Sequence, residues 1–294
     1  MKKLNGILAI IFTLAIVTMA CSISINLPVN EIKTGKTQIE EINIPIPGES
    51  PVDVTLEFGA GELILAPGAS SALIEGQVEY NIEDLKPEII SDGGTVKLST
   101  GDLEITGFPK FQVDDFVNKW DLKLHDTPMD LHIKSGAYQG DIELGGLTIN
   151  SLEINDGAAD VRLKFSEANK TEMRSFRYST GASNVKITGL ANANFGLMNF
   201  RSGAGNYTLD FSGNLRRDTN VVIESGISQV TIVVPKGTSA IVTFRGGLMD
   251  VDFDQEWENH GDTYILTGEG PMLNIEVEMG AGSLRLYTLR KAVK

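Results

Sequence analysis

The side chains of this 294-residue chain that could carry chemistry are one cysteine, three histidines and 39 carboxylates. No Gly-x-Ser-x-Gly elbow is present to lift a serine nucleophile. His125, His132 and His260 share no motif, and His132 alternates outward between Leu131 and Ile133, as a solvated strand residue does. Asp250, Asp252 and Asp254 sit at alternate positions, so their carboxylates share one strand face and offer the hard oxygen ligands that Ca²⁺ prefers. The surrounding repeat is not the Gly-Gly-x-Gly-x-Asp nonapeptide of calcium β-rolls, and alternating acids also keep an exposed strand soluble. We therefore expect no catalytic residue, no metal and no cofactor. None of the glycines opens a predicted helix, so a phosphate loop is absent too.

The single cysteine has a different context. Lys2 and Lys3 precede a mostly apolar run, Ile7 to Met19, followed by Ala20 and Cys21. A basic start, an apolar run and a small residue describe a secretory signal peptide, and the run falls short of the ~20 apolar residues of a membrane span. The segment resembles a bacterial lipoprotein signal, with Cys21 at the position of cleavage and acylation. The expected organisation is a signal peptide at 1–20, a lipidated tether at 21–50 and a β-rich body at 51–290. The tether is polar, with Pro28, Pro45 and Pro47 and scattered Ile, and reads as mostly extended chain.

Composition sets the remaining bounds. The chain is 41% hydrophobic, enough for one sizeable core. Its formal net charge is −14, which argues against nucleic acid as a partner. One cysteine excludes an internal disulfide framework.

The elements that would position any site are repeats. Seven windows centre on Gly59, Gly157, Gly181, Gly203, Gly226, Gly247 and Gly280, and positions −5, −3, +1, +4 and +6 are apolar in all seven. An eighth copy, around Gly136, keeps four of the five. The spacing of two on each side of the glycine is strand alternation with one face inward. The glycine predicts a sharp bend that takes φ > 0, with the small residue after it pointing into the corner. From Gly136 the glycines recur every 21, 24, 22, 23, 21 and 33 residues. A constant phase near ~22 residues predicts an all-β fold, a β-solenoid of stacked Gly-Ala coils. The long step holds an excursion, Gln255 to Pro271, with a hairpin around His260-Gly-Asp262. Two residues before the anchors stand Arg201, Glu224, Arg245 and Glu278, which alternate in charge if the coils stack in chain order.

The pattern lapses between about residues 107 and 128, where Phe108, Phe111, Phe116 and Trp120 cluster. Val113, Phe116 and Trp120 are spaced three and four apart, so Phe111 to Leu124 predicts one short helical insertion. Its apolar face would cap an end of the stack, or else Phe111, Phe116 and Trp120 would form an interaction site for a protein or glycan.

Several of these residues resemble a known family. Gly59-Ala-Gly61-Glu-Leu63, Tyr80-Asn81, Leu85-Lys-Pro-Glu88, Trp120-Asp-Leu-Lys-Leu124 and Pro128-Met-Asp-Leu131 look like the amino-terminal domain of the toast-rack family. The later Gly-Ala coils are similar to LiaF-like carboxy-terminal domains and to bacterial adhesin-like proteins. The resemblance implies an envelope-facing β-rich domain. The expectation is a non-enzymatic lipoprotein of the cell envelope, extracytoplasmic and held to the membrane by its lipid. It would present an interaction or adhesin-like surface to an envelope protein or glycan, with a link to envelope stress. The alternative is a carbohydrate-active or carbohydrate-binding solenoid that uses paired outward carboxylates.

Overall fold

Residues 34–101 and 116–289 are described by the computed structural model of the chain. Among them the amino-terminal part forms β1 (Gln38–Ile44), β2 (Val52–Pro67), β3 (Ile74–Tyr80), β4 (Pro87–Asp92), β5 (Thr95–Thr100) and β6 (Asn118–Leu124). The Gly-centred windows continue as β7 (Met129–Glu143), β8 (Ile149–Lys164), β9 (Ser175–Thr188), β10 (Leu197–Asp210), β11 (Thr219–Pro235) and β12 (Thr238–Phe253). A hairpin of β13 (Glu258–His260) and β14 (Thr263–Leu266) leads into β15 (Glu269–Leu289). The fold is all-β; the described helix amounts to two short 3-10 turns, Glu83–Leu85 and Leu190–Ala193.

Each Gly-centred window is a single strand in two arms, joined at its glycine. These strands lie parallel in the order β2-β7-β8-β9-β10-β11-β15-β12, with equivalent positions opposite one another. Leu131 faces Leu152, which faces Phe176, then Met198 and then Val221. Positions −5, −3, +4 and +6 therefore form continuous buried rows, almost all of them 2% exposed or less. Asparagines hold the connections behind them: buried Asn169 bonds both the N–H and the carbonyl of Ile149, and Asn192 donates to the Phe165 carbonyl.

The bend departs from expectation in two ways. None of the anchor glycines has a positive φ. The residue after the glycine also points outward rather than in: Ala137, Ala158, Ala182 and Ala204 are exposed, and Ile227 is 71% exposed. Glycine and its successor both face out, so positions −1 and +2 both face in, and alternation changes phase at the corner. What requires glycine is the next strand. A methyl group on Gly136, Gly157, Gly181, Gly203, Gly226, Gly280 or Gly247 would lie 2.4 to 2.9 Å from the carbonyl oxygen of the anchor glycine on the neighbouring strand. That is well inside the ~3.5 Å of an ordinary contact. Positive φ appears instead two residues on, at Gly61, Gly205 and Gly282.

Strand order also departs from chain order at the carboxy-terminal end. Only Lys236 and Gly237 link β11 to β12, yet the two strands are not neighbours; β15 returns from the hairpin and fills the rung between them. Glu224 and Glu278 are consequently register partners, with Arg245 beyond, so the expected charge alternation fails there.

The amino-terminal end is closed by different pairings of the two arms of β2. Its first arm pairs with β5, and its second with β6, which continues antiparallel to β3 and β1. The segment read as a short helix is in this part strand β6, because Trp120 and Leu122 take the inward positions opposite Leu63 and Leu65. The body also begins earlier than residue 51: Gln38–Ile44, within the stretch read as tether, pairs with β3 and buries Ile42 and Ile44.

The glycine contacts generate a graded expectation. Gly203→Ala drives a methyl group into the Gly181 carbonyl and should lower the unfolding free energy by ~1–3 kcal/mol. Gly59 ends the row and has no atom within 4 Å of such a methyl. Gly59→Ala should therefore be neutral or slightly stabilising, within ~0.5 kcal/mol, since alanine restricts the unfolded chain. Urea denaturation of both variants checks this, and equal costs would sink the close-approach argument.

Candidate functional site

The corner gives the molecule two distinct rows, one outside and one inside. Outside, position −2 carries Glu57, Lys134, Asn155, Ser179, Arg201, Glu224, Glu278 and Arg245 in strand order. The bare glycines beside this row leave a groove floored by backbone. Over β10, β11, β15 and β12 it widens to a cavity of about 730 Å³ lined by Arg201, Ser202, Glu224, Ser225, Arg245 and Glu278, with Gly246, Gly247, Met279 and Gly280. Arg201 Nε lies 2.9 Å from Glu224 Oε2. Both side chains are largely exposed, so the pair adds little to stability and its groups stay available to a ligand. Two guanidinium groups flanking two carboxylates can hydrogen-bond a polar ligand at several points.

Inside, positions −1 and +2 build a buried polar cluster. Asp156 accepts from the Tyr178 hydroxyl at 2.8 Å and from the Thr180 hydroxyl, and the Tyr138 hydroxyl approaches at 3.5 Å. Thr180 and Ser183 share a hydrogen bond of 2.6 Å, and the Ser183 hydroxyl takes the Ala159 N–H. Ser202, Ser225 and Ser228 continue the chain on later strands. Burial pushes the Asp156 carboxyl above the usual aspartate range, against the three hydroxyls that favour its charge. Burial likewise raises Tyr138 and Tyr178. The sequence reading missed this cluster, although the polar residue directly before the anchor glycine (Asp156, Thr180, Ser202, Ser225) was its visible signal.

The residues singled out in the sequence fall as follows. Cys21 and Phe111 lie outside the described residues. Phe116 is half-buried, before β6. Trp120 is fully buried and unavailable to a partner: its ring stacks tilted on Phe58 at 5.2 Å, Phe58 meets Tyr138 edge-on at 5.3 Å, and its Nε1 donates to Asn118 Oδ1. It belongs to the core at the closed end. His132 faces outward between Asp53 and Glu153, at 3.8 and 3.7 Å. The Asp254 carboxylate accepts from the Thr288 and Glu256 N–H groups and the Thr288 hydroxyl, and Asp252 accepts from Tyr287. Among the described residues no group of three His, Cys, Asp or Glu side chains is placed to hold a metal ion.

Residues 33–188 match the family model described as the N-terminal domain of toast_rack, DUF2154. A candidate cell adhesion protein from Clostridium sporogenes is similar in structure, 18% identical, with a TM-score of 0.47 over 86% of this chain and 100% of that one. A candidate adhesin from Bacteroides fragilis is 14% identical, with a TM-score of 0.44 over 85% and 97%. A candidate lipid-binding protein from Parabacteroides distasonis is 10% identical, with a TM-score of 0.37 over 87% and 99%. No curated protein is significantly similar to the chain.

Two outcomes are expected from the buried side chains. Trp120→Ala should cost ~3–5 kcal/mol in chemical denaturation, whereas a surface tryptophan would cost almost nothing. Asp156 has a folded pKa above its unfolded value, so the native state holds the extra proton in the window between the two. Stability of the parent chain relative to Asp156→Asn should therefore fall as pH rises through that window, and the variant should be the less pH-sensitive of the two above the ordinary aspartate range. A pH series of thermal melts that shows parallel curves would refute the raised pKa.

Proposed function

We propose, for a chain that belongs to the toast-rack family, a non-catalytic role as a lipid-anchored display module of the bacterial cell envelope. The single observation that carries the reading is the in-register parallel pairing of the Gly-centred strands, with partners offset by 21 to 24 residues from β7 to β11. Such offsets are those of one solenoid turn of ~22 residues stacked on the next. Stacked turns make a stiff support whose outward rows repeat at the ~4.8 Å strand spacing, and ordered rows of side chains suit recognition more than turnover. The bent strands leave the backbone-floored groove with Arg201, Glu224, Glu278 and Arg245 as the contact surface. Its lining contains no aromatic ring, the usual wall of a sugar-cleaving subsite, and one of its carboxylates, Glu224, is paired with Arg201 across strands. These features favour binding over hydrolysis.

The anchor follows from the sequence context of Cys21. Cleavage before it removes two lysines and leaves a mature chain of net charge −16, which anionic headgroups would repel. Attachment would then rest on the lipid, and several acyl chains hold stably where one does not. Metabolic labelling with an alkyne fatty acid should mark the parent protein and leave Cys21→Ser unlabelled. The variant should also leave the membrane fraction or accumulate as an uncleaved precursor. Unchanged labelling, fractionation and mass in Cys21→Ser would overturn the anchored reading.

A further inference from the structure

The two ends of the parallel stack are finished differently. At the amino-terminal end both arms of β2 are covered, by β5 and β6. At the other end only the first arm of β12 is covered: β14 pairs with Ala240–Thr243, and the Phe244 N–H donates to the Asp262 carbonyl. From Arg245 to Phe253 the strand has β15 on one side and, among the described residues, no strand on the other. The core is correspondingly thinner there, although the Phe253 ring still meets that of Tyr264, tilted, at 5.2 Å. Phe253, at position +6, is 36% exposed, while its row-mates Leu286, Ile232, Leu209 and Ile187 are all at 0%. Val251, at +4, is half-buried, while Leu284 and Val230 are fully buried. On the outer face the same arm presents Asp250 and Asp252, both exposed.

We propose that this arm, Arg245–Phe253, is an acceptor edge for an extended segment of another protein, added as one more strand. The segment would be basic at its outward positions and apolar at its inward ones. Main-chain hydrogen bonds to a free edge supply affinity in such additions, and alternate side chains supply specificity. Here the inward side chains would cover Val251 and Phe253, and outward Lys or Arg would meet Asp250 and Asp252. The same charges argue against a second copy. Two β12 arms paired antiparallel about Val251 would set Asp250 against Asp252, and the opposite end of the sheet offers β1 with Glu40 and Glu41. The proposal rests on this edge alone and holds whether or not Cys21 is acylated.

The test uses the purified mature chain and three short synthetic peptides: Lys alternating with Val, Glu alternating with Val, and the Lys composition arranged in blocks. Fluorescence anisotropy should show the alternating basic peptide binding at least ~10-fold more tightly than the other two. Amide hydrogen exchange should slow in residues 245–253 and nowhere else. The double variant Asp250→Lys, Asp252→Lys should transfer the preference to the Glu peptide, and circular dichroism reports whether it is folded. The exchange footprint on the parent chain stands independently of that variant. Equal binding of the block peptide, protection at a different surface, or an unchanged preference in the folded double variant would overturn the proposal. Concentration-dependent self-association that protects 245–253 without any peptide would overturn it in favour of a second copy.

Discussion

The constraint on which the rest depends is the row of anchor glycines from Gly59 through Gly136, Gly157, Gly181, Gly203, Gly226 and Gly280 to Gly247, in which a methyl on every glycine after the first would lie 2.4 to 2.9 Å from the carbonyl oxygen of the anchor glycine beside it. No side chain fits in that row, because each methyl would penetrate a backbone atom that cannot swing aside. The row therefore fixes register more strictly than hydrophobic alternation can. Alternation tolerates a slip of two residues, whereas a slipped strand would bring a Cβ against a carbonyl. Every other row depends on this alignment: the apolar rows that make the core, the hydroxyls and carboxylate inside the corner, and the charges outside it.

The corner resolves an energetic conflict. Two consecutive outward residues break alternation, and the inward positions on either side meet at an angle where large apolar side chains cannot pack from both arms. Small polar residues fill that angle; Thr180 pairs with Ser183 and Ser225 with Ser228, while the buried Ser135 hydroxyl on β7 has no partner among the described residues. Asp156 is the extreme case, a carboxyl held by Tyr178 and Thr180 with burial working against its charge. Such a network costs stability if any member is left unpaired, so it ties neighbouring strands into one arrangement. The pocket lined by Arg201, Glu224, Glu278 and Arg245 lies on the later strands, β10, β11, β15 and β12.

The ends of a parallel stack are where its energetics and its interactions meet. At one end Trp120, Phe58 and Tyr138 complete the core, with antiparallel β6, β3 and β1 beyond them. At the other end the two-residue link from β11 to β12 skips a rung that β15 occupies, and the hairpin covers one arm of β12 and stops. Acidic side chains on the bare arm disfavour pairing with an equally acidic edge, a common protection of strand edges. A display module held at its amino terminus would carry that arm and the groove in its carboxy-terminal half.

The sequence by itself determined the Gly-centred strands, their inward positions −5, −3, +4 and +6 and the bend positions, because period-two alternation and glycine phase are local and repeat seven times. It also determined the family, through short motifs such as Gly59-Ala-Gly61 and Trp120-Asp-Leu-Lys-Leu124. The helical spacing of Val113, Phe116 and Trp120 misled, since Trp120 answers to Leu63 across the sheet and not to its own neighbours. The glycine requirement was visible, but its reason was not: φ is a property of one residue, while the clash with a carbonyl belongs to two strands. Only the tertiary structure decided that β15 enters between β11 and β12, that Glu224 therefore faces Glu278, and that one arm of β12 is left bare. Those outcomes depend on which strand reaches a vacant rung, and nothing in the spacing of residues along a chain records that.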